Sequence, residues 1–374
     1  MKRIFSIIAV CAAMMSCAQK SAVTLFPVSD FETTVDGKNV SLYTLKNGEL
    51  TMQVTNFGAR VVSLWVPDRD GKHEDIVLGY NNINDYVNNP GERFLGAVVG
   101  PYANRIAAGT YTIGEDTFHF PQNNNGQTLH GGLKGLDMVV WDVFAADDST
   151  LVLTYTHPDG QEGMPGNMEI FMTYTLTRNN EFRIGYMAQT DKPTHVNISH
   201  HSFFNLKGEG NGTINDHVLH INASKTTPVN EFLIPSGEIA DVTGTPFDFR
   251  QPKAIGTDLE VEDEQLVNGA GYDHNWILDR SNADGLEFAA SVYEPASGRY
   301  MEVWTDQPAL QFYGGNFFDG STCGKYGRPL AYRESIALET QKYPDSPNHP
   351  NFPSTLLNPG EEYTHECVYR FGVK

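Results

Sequence analysis

The chain has 374 residues, of which 40% are hydrophobic and 19% are charged, so it carries enough apolar side chains for a large core. This composition excludes disorder as the main state, and the length allows two ordinary domains or one large β domain. The formal net charge of −20 argues against nucleic acid as a partner, because such binding depends mostly on Lys and Arg contacts with phosphates.

The N-terminal residues are typical of an export signal. Lys2 and Arg3 form a short positive segment, and residues 4–15 form an apolar run that is too short to span a membrane as a mature helix. The run is followed by Ser16, a small residue directly before Cys17. This pattern resembles a bacterial lipoprotein signal, in which cleavage leaves the cysteine as a lipidated N-terminus. A plain secretory signal with an incidental cysteine is the alternative.

The signal predicts how the chain is divided and where it resides. We expect a signal peptide at residues 1–16, lipid attachment at Cys17 and a tether over residues 17–23. The protein is then exported, as a periplasmic or cell-envelope lipoprotein that contacts the membrane only through its anchor. In an oxidising compartment Cys323 and Cys367 could pair, although two free thiols are equally consistent with their spacing.

The rest of the sequence is typical of β-structure. Residues 168–176 and 300–304 alternate between apolar and polar with a period of two, as half-buried strands do, and Pro-Asp-Gly or Asn-Pro-Gly turns separate such runs. Helical periodicity is confined to residues 83–87 and 258–267. There is no strand–helix alternation and no glycine-rich nucleotide loop, which disfavours a doubly wound α/β fold. We therefore predict one large antiparallel β-sandwich domain over residues 24–374.

Clusters of unlike polar residues interrupt the strand pattern in six segments, at residues 100–106, 123–132, 197–206, 271–276, 307–313 and 337–344. Each has a simple structural interpretation. A single His in a strand is more often a hydrogen-bonded core residue than a catalyst, and the Asn-Gly-rich stretch at 123–126 is first of all a turn. Together, however, the segments hold the His, Arg, Asp, Gln and Glu residues of a polar concave site, provided that the fold brings them side by side.

Five motifs within these segments occur in a specific order, namely Asn-Arg-Ile (104–106), Leu-His-Gly-Gly (129–132), His-Ser-Phe-Phe-Asn-Leu (201–206), Tyr-Asp-His-Asn (272–275) and Leu-Glu-Thr-Gln (338–341). In this order they resemble the aldose 1-epimerase (galactose mutarotase) family, over nearly the whole chain after the signal. The resemblance implies a mainly β fold, the galactose mutarotase-like supersandwich. It also implies a carbohydrate isomerase that interconverts the α and β anomers of free aldoses such as glucose and galactose.

The resemblance also implies roles for individual residues. His201 matches the general acid of the family and Glu339 its general base. The positions that bind sugar are matched by Asn104, Arg105, His130, Asp273 and Gln311.

The chain departs from the family around its catalytic histidine. A Thr-Tyr pair often follows that histidine in the family, whereas this chain has Ser202 and Phe203, so a hydroxyl contact from the tyrosine is absent. The usual Asn before it is replaced by His200. Neighbouring residues of a strand point to opposite faces, so only one of the two histidines can face the site. The His-x-x-Phe-Asn-Leu match favours His201.

The implied reaction needs only proton transfer. The C1 hydroxyl of the sugar must lose a proton while the ring oxygen gains one, so one base and one acid on opposite sides of the C1–O5 region suffice. No electron, phosphate or metal is required, so we expect no cofactor and no catalytic metal. A bound Ca²⁺ is possible on so acidic a chain, although no contiguous ligand loop indicates it. The expected partner is a free monosaccharide, and a monomer is favoured although the sequence does not determine the oligomeric state.

Other functions use the same residues differently. A glycoside hydrolase would need two carboxylates, for which Asp273 and Glu339 are available, but His201 would have no place in that mechanism. A noncatalytic sugar-binding lipoprotein has no reason to combine His201 with Glu339. A metal site from His200, His201 and a carboxylate is disfavoured because adjacent strand residues diverge. An epimerase of hexose 6-phosphates would need additional Arg or Lys residues.

Overall fold

The computed structural model describes residues 23–282 and 285–374. The predicted signal peptide at residues 1–16, the lipidation site Cys17 and all of the predicted tether except Val23 lie outside the described residues. None of the helices in the described part of the chain is long and apolar enough to cross a membrane.

Strands make up most of the regular structure. Those in the first half of the chain are β1 (Thr33–Val35), β2 (Lys38–Val40), β3 (Leu42–Asn47), β4 (Leu50–Thr55), β5 (Arg60–Pro67), β6 (His73–Asp75), β7 (Ala97–Val99), β8 (Arg105–Ile106), β9 (Thr110–Ile113), β10 (Asp116–His119), β11 (Thr128–Leu129), β12 (Asp142–Ala146), β13 (Thr150–His157) and β14 (Met168–Leu176). Those in the second half are β15 (Glu181–Thr190), β16 (Thr194–His195), β17 (Ser199–His201), β18 (Val218–Ile221), β19 (Ala223–Thr227), β20 (Ala240–Asp241), β21 (Lys253–Ala254), β22 (Asp273–Leu278), β23 (Glu287–Tyr293), β24 (Arg299–Thr305), β25 (Ala309–Tyr313), β26 (Ala337–Gln341), β27 (Leu356–Leu357) and β28 (Tyr363–Val373).

Three antiparallel sheets carry the fold. The largest has nine strands in the order β12-β13-β14-β15-β28-β24-β23-β18-β21. A five-stranded sheet has the order β20-β19-β22-β25-β26, and a four-stranded sheet has the order β3-β4-β5-β6. The short pairs β7–β17 and β8–β11 bring two further segments of the predicted site into the molecule. The prediction of a large antiparallel β-sandwich is confirmed.

The core lies between the nine-stranded sheet and the two smaller sheets. One continuous cluster joins Ile184 of the large sheet, Leu64 of the four-stranded sheet, and Trp276 and Phe312 of the five-stranded sheet. The strand predicted at 168–176 is β14, and every second side chain of it is buried, as its alternation predicts. The strand predicted at 300–304 lies within β24.

Helices are few and short, as predicted. Within the described residues the α-helices are α1 (Ile83–Asn88) and α2 (Glu264–Asn268), and single turns of 3-10 helix occur at Val28–Phe31, Ala107–Gly109, Leu136–Met138, Gln161–Gly163, Ile255–Thr257, Lys325–Gly327 and Ser346–Asn348. The prediction of a helix over 258–267 is wrong in its first half. The side chain of Asp263 accepts hydrogen bonds from the backbone N–H groups of Gln265 and Leu266, so it caps the helix and fixes its start.

A buried charge cluster fastens the long loop between β25 and β26 to the sandwich. The Nζ atom of Lys325 in this loop lies 2.6 Å from Oδ2 of Asp75 and 3.1 Å from Oε2 of Glu209. All three side chains are at most 2% exposed. A buried ion pair depends on both partners, because the loss of one leaves an uncompensated charge. Both cysteines of the described chain, Cys323 and Cys367, are free thiols.

Candidate active site

One face of the five-stranded sheet carries three of the predicted site residues. In the strand register Gln311 lies between Asn275 and Glu339, and Asp273 precedes Asn275 by two residues on the same strand. Because side chains alternate between faces, all four point the same way. The Nε2 atom of Gln311 donates a hydrogen bond of 2.7 Å to Oδ1 of Asp273. The side chains next to them along the strands are buried on the opposite face, namely those of His274, Phe312 and Leu338.

The two adjacent histidines of β17 have different surroundings. His201 lines a pocket, where its Nε2 atom lies 3.3 Å from Oε1 of Glu339. His200 points into the interior, where Nδ1 lies 3.1 Å from the hydroxyl of Tyr174 and Nε2 lies 2.6 Å from that of Ser202. The structure therefore places His201, and not its neighbour, next to the carboxylate.

A reciprocal contact holds Asn104 and His130 beside the pocket. The backbone N–H of His130 donates to the carbonyl of Asn104 at 3.0 Å, and the N–H of Asn104 donates to Nδ1 of His130 at 3.1 Å. Since Nδ1 accepts, the neutral ring carries its proton on Nε2. Both residues have left-handed backbones, with φ of 63° and 52°. Such conformations are uncommon for residues other than glycine and often occur at functional sites.

Several buried polar atoms at this site lack a hydrogen-bond partner among the described residues. They are Nε of Arg105, Nδ1 of His201, Oε1 of Gln311 and Oε2 of Glu339. A buried polar group without a partner is costly, and native proteins rarely keep several together without a purpose. Arg105, His201 and Glu339 line the same pocket, where a ligand rich in hydroxyl groups can supply both donors and acceptors.

The site is a cavity of about 290 Å³. Six of the seven residues predicted from the sequence line it together, namely Asn104, Arg105, His130, His201, Asp273 and Glu339. Gln311 does not line the cavity and instead supports Asp273 from behind through the hydrogen bond described above. The sequence motifs, which are spread over more than two hundred positions, thus meet in one place.

The family model described as "Aldose 1-epimerase" matches residues 41–370. The chain belongs to this family. A galactose mutarotase of Mus musculus is 42% identical over 337 residues, which cover 90% of this chain and 95% of that protein. An aldose 1-epimerase of Escherichia coli K12 is 37% identical over 339 residues, with 90% and 96% covered.

Solved structures agree with this assignment. An aldose epimerase homologue from C. elegans superimposes with a TM-score of 0.82 and 28% identity, covering 89% of this chain and 99% of that one. A galactose 1-epimerase from Lactobacillus acidophilus gives a TM-score of 0.79 and 30% identity, with 92% and 97% covered. The predicted family, fold class and isomerase activity are confirmed.

Burial controls the protonation of the central pair in this aldose 1-epimerase. Burial, reinforced by the charge of Asp273, raises the pKa of Glu339 well above its usual value, while Arg105 acts in the opposite direction. Burial also lowers the pKa of His201 to about 3. Together these two pKa shifts favour a pair that holds one proton and no net positive charge. At a separation of 3.3 Å the two groups titrate as one unit.

The aldose 1-epimerase cavity also contains residues that the sequence analysis did not identify. Phe203 packs on His201 with 4.6 Å between ring centroids, and Tyr313 follows Gln311 at a spacing of two, so the strand period could have indicated it. Glu92 and Phe317 also line the cavity, but both lie outside the strands and no periodic pattern marks them. Phe94, Asn124, Asn125, Leu129 and Leu233 complete the wall.

The donor set of this epimerase site is poorly suited to a metal ion. Ligand atoms of His130, His201 and Glu339 lie within 4.8 Å of one another. However, Nδ1 of His130 is occupied by the N–H of Asn104, and the proton on Nε2 leaves that ring without a free lone pair. Ca²⁺ takes six to eight oxygen ligands, which a set with two imidazoles does not provide. The alternative metal site with His200 fails because that ring points into the interior.

Proposed function

We propose that this epimerase converts free neutral aldoses such as glucose and galactose between their α and β anomers, with His201 and Glu339 as the pair that moves the protons. The single observation that carries this proposal is the 3.3 Å contact between the two buried side chains, inside a cavity where Nε of Arg105 also lacks a hydrogen-bond partner among the described residues. The named relatives support the choice of hexoses, since one is a galactose mutarotase and the other an aldose 1-epimerase.

One proton shared by the pair is enough for the whole cycle. Glu339 as the carboxylate takes the proton from the C1 hydroxyl, the C1–O5 bond breaks, and His201 as the imidazolium gives its proton to O5. The pair then consists of a neutral acid and a neutral imidazole, and its total proton count has not changed. After rotation about C1–C2, the same two steps run in reverse on the other face of the aldehyde.

The remaining residues bind the sugar. Arg105 and Nε2–H of His130 donate hydrogen bonds to hydroxyl groups, and Asn104 offers its side-chain amide beside them. Asp273 accepts hydrogen bonds, and Gln311 fixes the orientation of that carboxylate. These contacts also keep the open-chain aldehyde in place until the ring closes. Sites built around buried polar groups reject ligands that leave those groups unpaired.

The location of the enzyme is a further part of the proposal. The apolar run before Ser16 and Cys17 supports export as a lipoprotein anchored through Cys17, with residues 24–374 forming the catalytic domain. Its task there is to equilibrate the anomers that glycan breakdown releases outside the cytoplasm, ahead of a transporter or kinase that takes one anomer. We propose a monomer, and no cofactor takes part.

Polarimetry of freshly dissolved α anomers tests the activity. The rate of decay of optical rotation, measured over a panel of aldoses, should exceed the spontaneous rate in proportion to enzyme concentration. The same protein should release no reducing sugar from aryl glycosides, because it places no acid at the aglycone oxygen. Hydrolysis without anomerisation would favour a glycoside hydrolase, and sugar binding without either reaction would favour a lectin.

A further inference from the structure

The segment of residues 24–31 is fastened to the sandwich at Phe26. The amide of the buried Gln53 in β4 pairs with the backbone there. Its Oε1 atom accepts a hydrogen bond of 2.9 Å from the N–H of Phe26, and its Nε2 atom donates one of 3.0 Å to the carbonyl. The ring of Phe26 also lies 6.0 Å from that of Phe31, which is fully buried. These contacts fix where the Phe26 side chain lies.

The Phe26 ring packs on the tip of the long loop between β25 and β26. It stacks on Tyr326 with 5.6 Å between ring centroids and 22° between planes. Tyr326 lies in the turn that closes this loop, where the N–H of Gly324 donates to the carbonyl of Arg328 at 2.7 Å. Phe317, which belongs to the catalytic cavity wall, is part of the same loop. A contact at the tip can therefore influence the position of a cavity residue.

The tip needs support because its backbone is strained. Tyr326 has a φ of 58°, a left-handed conformation that residues other than glycine rarely adopt and that persists only where the surroundings impose it. Two polar contacts hold its backbone and its hydroxyl. The N–H of Tyr326 donates to Oδ1 of Asn81 at 3.0 Å, and the hydroxyl donates to Oδ2 of Asp75 at 2.8 Å. Phe26 supplies an apolar contact to the ring itself.

Buried apolar side chains connect this loop to the catalytic cavity. Phe318 and Leu330, one from each arm of the loop, lie in the same cluster as Phe31. This cluster also contains Phe203 and Tyr313, which line the cavity. Because protein interiors are densely packed, a displaced loop shifts these neighbours. None of residues 24–31 lines the cavity, so any effect of this segment on the sugar is indirect.

We propose that Phe26 is a positioning residue of this epimerase, which holds the loop between β25 and β26 in the conformation that places Phe317 in the cavity wall. The inference rests on the proposed function, because it concerns the wall of the cavity in which His201 and Glu339 act. Phe26 does not touch the sugar. A protein that populates its binding-competent conformation only in part has an apparent affinity reduced by that fraction, so a loosened loop should raise KM.

Phe26→Ala removes the ring that stacks on Tyr326. We expect KM for galactose to rise by about two- to tenfold, the upper value being the full contribution of an aromatic pair, and kcat to stay near the wild-type value. A loss of stability alone would reduce the amount of active enzyme and leave KM unchanged. Phe26→Tyr keeps a stacking ring and should keep the wild-type KM. Polarimetry of the full chain over a range of galactose concentrations measures both parameters.

A matched control and a double variant complete the test. Leu25→Ala changes the neighbouring apolar side chain, which is 44% exposed, and it should alter neither parameter. If Phe26 acts through the loop, Phe26→Ala should raise KM much less in a Phe317→Ala background than in the wild type. An unchanged KM in Phe26→Ala, or equal effects of Phe26→Ala in the two backgrounds, would overturn this inference and leave the proposed function standing. Absence of catalysed mutarotation by the wild type would overturn the proposed function itself.

Discussion

The Nε2 atom of His201 lies 3.3 Å from Oε1 of Glu339, while the adjacent His200 is buried on the other side of the strand. The hydroxyl of Tyr174 donates to the carbonyl of Ala59 at 2.8 Å, so it can only accept from His200. The Nδ1 atom of His200 therefore carries the proton, and its Nε2 accepts from Ser202. The ring of His201 is placed to exchange a proton with a carboxylate. Both nitrogen atoms of the His200 ring are already engaged in hydrogen bonds with buried side chains.

The two histidines should respond differently to the same substitution. We expect His201→Asn to lower kcat by about 10²–10⁴-fold, the usual contribution of a positioned acid or base. His200→Asn should keep kcat near the wild-type value but reduce the free energy of unfolding by about 1–3 kcal/mol, because one of its buried partners loses a hydrogen bond. Polarimetry and urea denaturation of both variants distinguish the two effects. A large loss of kcat in His200→Asn alone would contradict this assignment.

Glu339→Gln should remove turnover while it preserves binding. Gln has nearly the same shape but cannot take a proton, so the pair can no longer pass its single proton to the sugar. Affinity should change only modestly, because binding is spread over several side chains. Optical-rotation decay and calorimetric titration with galactose provide the two readouts. Glu169→Gln, a change at an exposed carboxylate in β14, is the matched control and should leave both unaltered. Equal decay rates for Glu339→Gln and the wild type would exclude this carboxylate from the mechanism.

The pH dependence of kcat/KM should reveal the effect of the negative charge of Glu92 on the pair of His201 and Glu339. The pair of His201 and Glu339 works when it holds one proton. A plot of kcat/KM against pH should therefore be bell-shaped, and the midpoints of its two limbs report the macroscopic pKa values of the pair. The negative charge of Glu92 favours protonation and contributes to the raised pKa of Glu339, after burial and Asp273, while Arg105 opposes it. Removing that charge must therefore lower the macroscopic pKa values of the pair, and Glu92→Gln should move the bell-shaped profile of kcat/KM to lower pH.

The displacement of the kcat/KM profile in Glu92→Gln should be larger on its alkaline limb. Burial raises the pKa of Glu92 to about 6, so this side chain is charged only above that pH. The profiles of wild type and Glu92→Gln are compared after subtraction of the spontaneous rate at each pH. A displacement toward higher pH, or no displacement, would show that this charge does not act on the pair.

Gly131→Ala should disturb the site through the backbone. Gly131 follows His130, has φ of 88°, and would place a Cβ in collision with the carbonyl oxygen of Gly100. The control is Gly114→Ala, where φ is 63° and no atom lies within 4 Å of the added Cβ. Both variants incur the cost of about 1–2 kcal/mol for a left-handed alanine. Only Gly131→Ala should lose further stability and activity, as thermal unfolding and polarimetry measure. Equal effects of the two would contradict the steric argument.

Cys17→Ser should release the protein from the membrane fraction. The lipid would be attached to the thiol of Cys17, and the serine hydroxyl cannot replace it in that linkage. Cell fractionation followed by immunoblotting measures the distribution. Cys11→Ser changes another cysteine of the same apolar run and should leave the protein in the membrane fraction. Persistent membrane association of Cys17→Ser would contradict the proposed anchor.

The sequence predicts those features that depend on local pattern. The alternation at 168–176 identifies β14 with its observed bounds, and the period of two correctly assigns His201 and His200 to opposite faces. The predicted helix at 258–267 is too long at its N-terminal end. Apolar spacing does not reveal that the side chain of Asp263 accepts hydrogen bonds from the first N–H groups and so caps the helix there.

Features that depend on long-range packing could not be predicted in this way. Glu92 and Phe317 are more than two hundred positions apart, and neither belongs to a strand. Both line the catalytic cavity, and the position of Phe317 there depends on where the loop around Lys325 is fastened. The contact of 3.3 Å between His201 and Glu339 likewise results from the packing of separate strands, which no local pattern encodes.

The buried position of Lys325 has a consequence for how the enzyme responds to salt. At physiological ionic strength, mobile ions largely screen the interaction of exposed charges that are more than about 8 Å apart. They have much less effect on pairs that solvent does not reach. The interaction of Lys325 with Asp75 and Glu209 should therefore hold the loop between β25 and β26, which carries Phe317 of the cavity wall, equally well in dilute and in concentrated salt. Because the proposed ligands carry no charge, the Michaelis constant should also vary little with ionic strength.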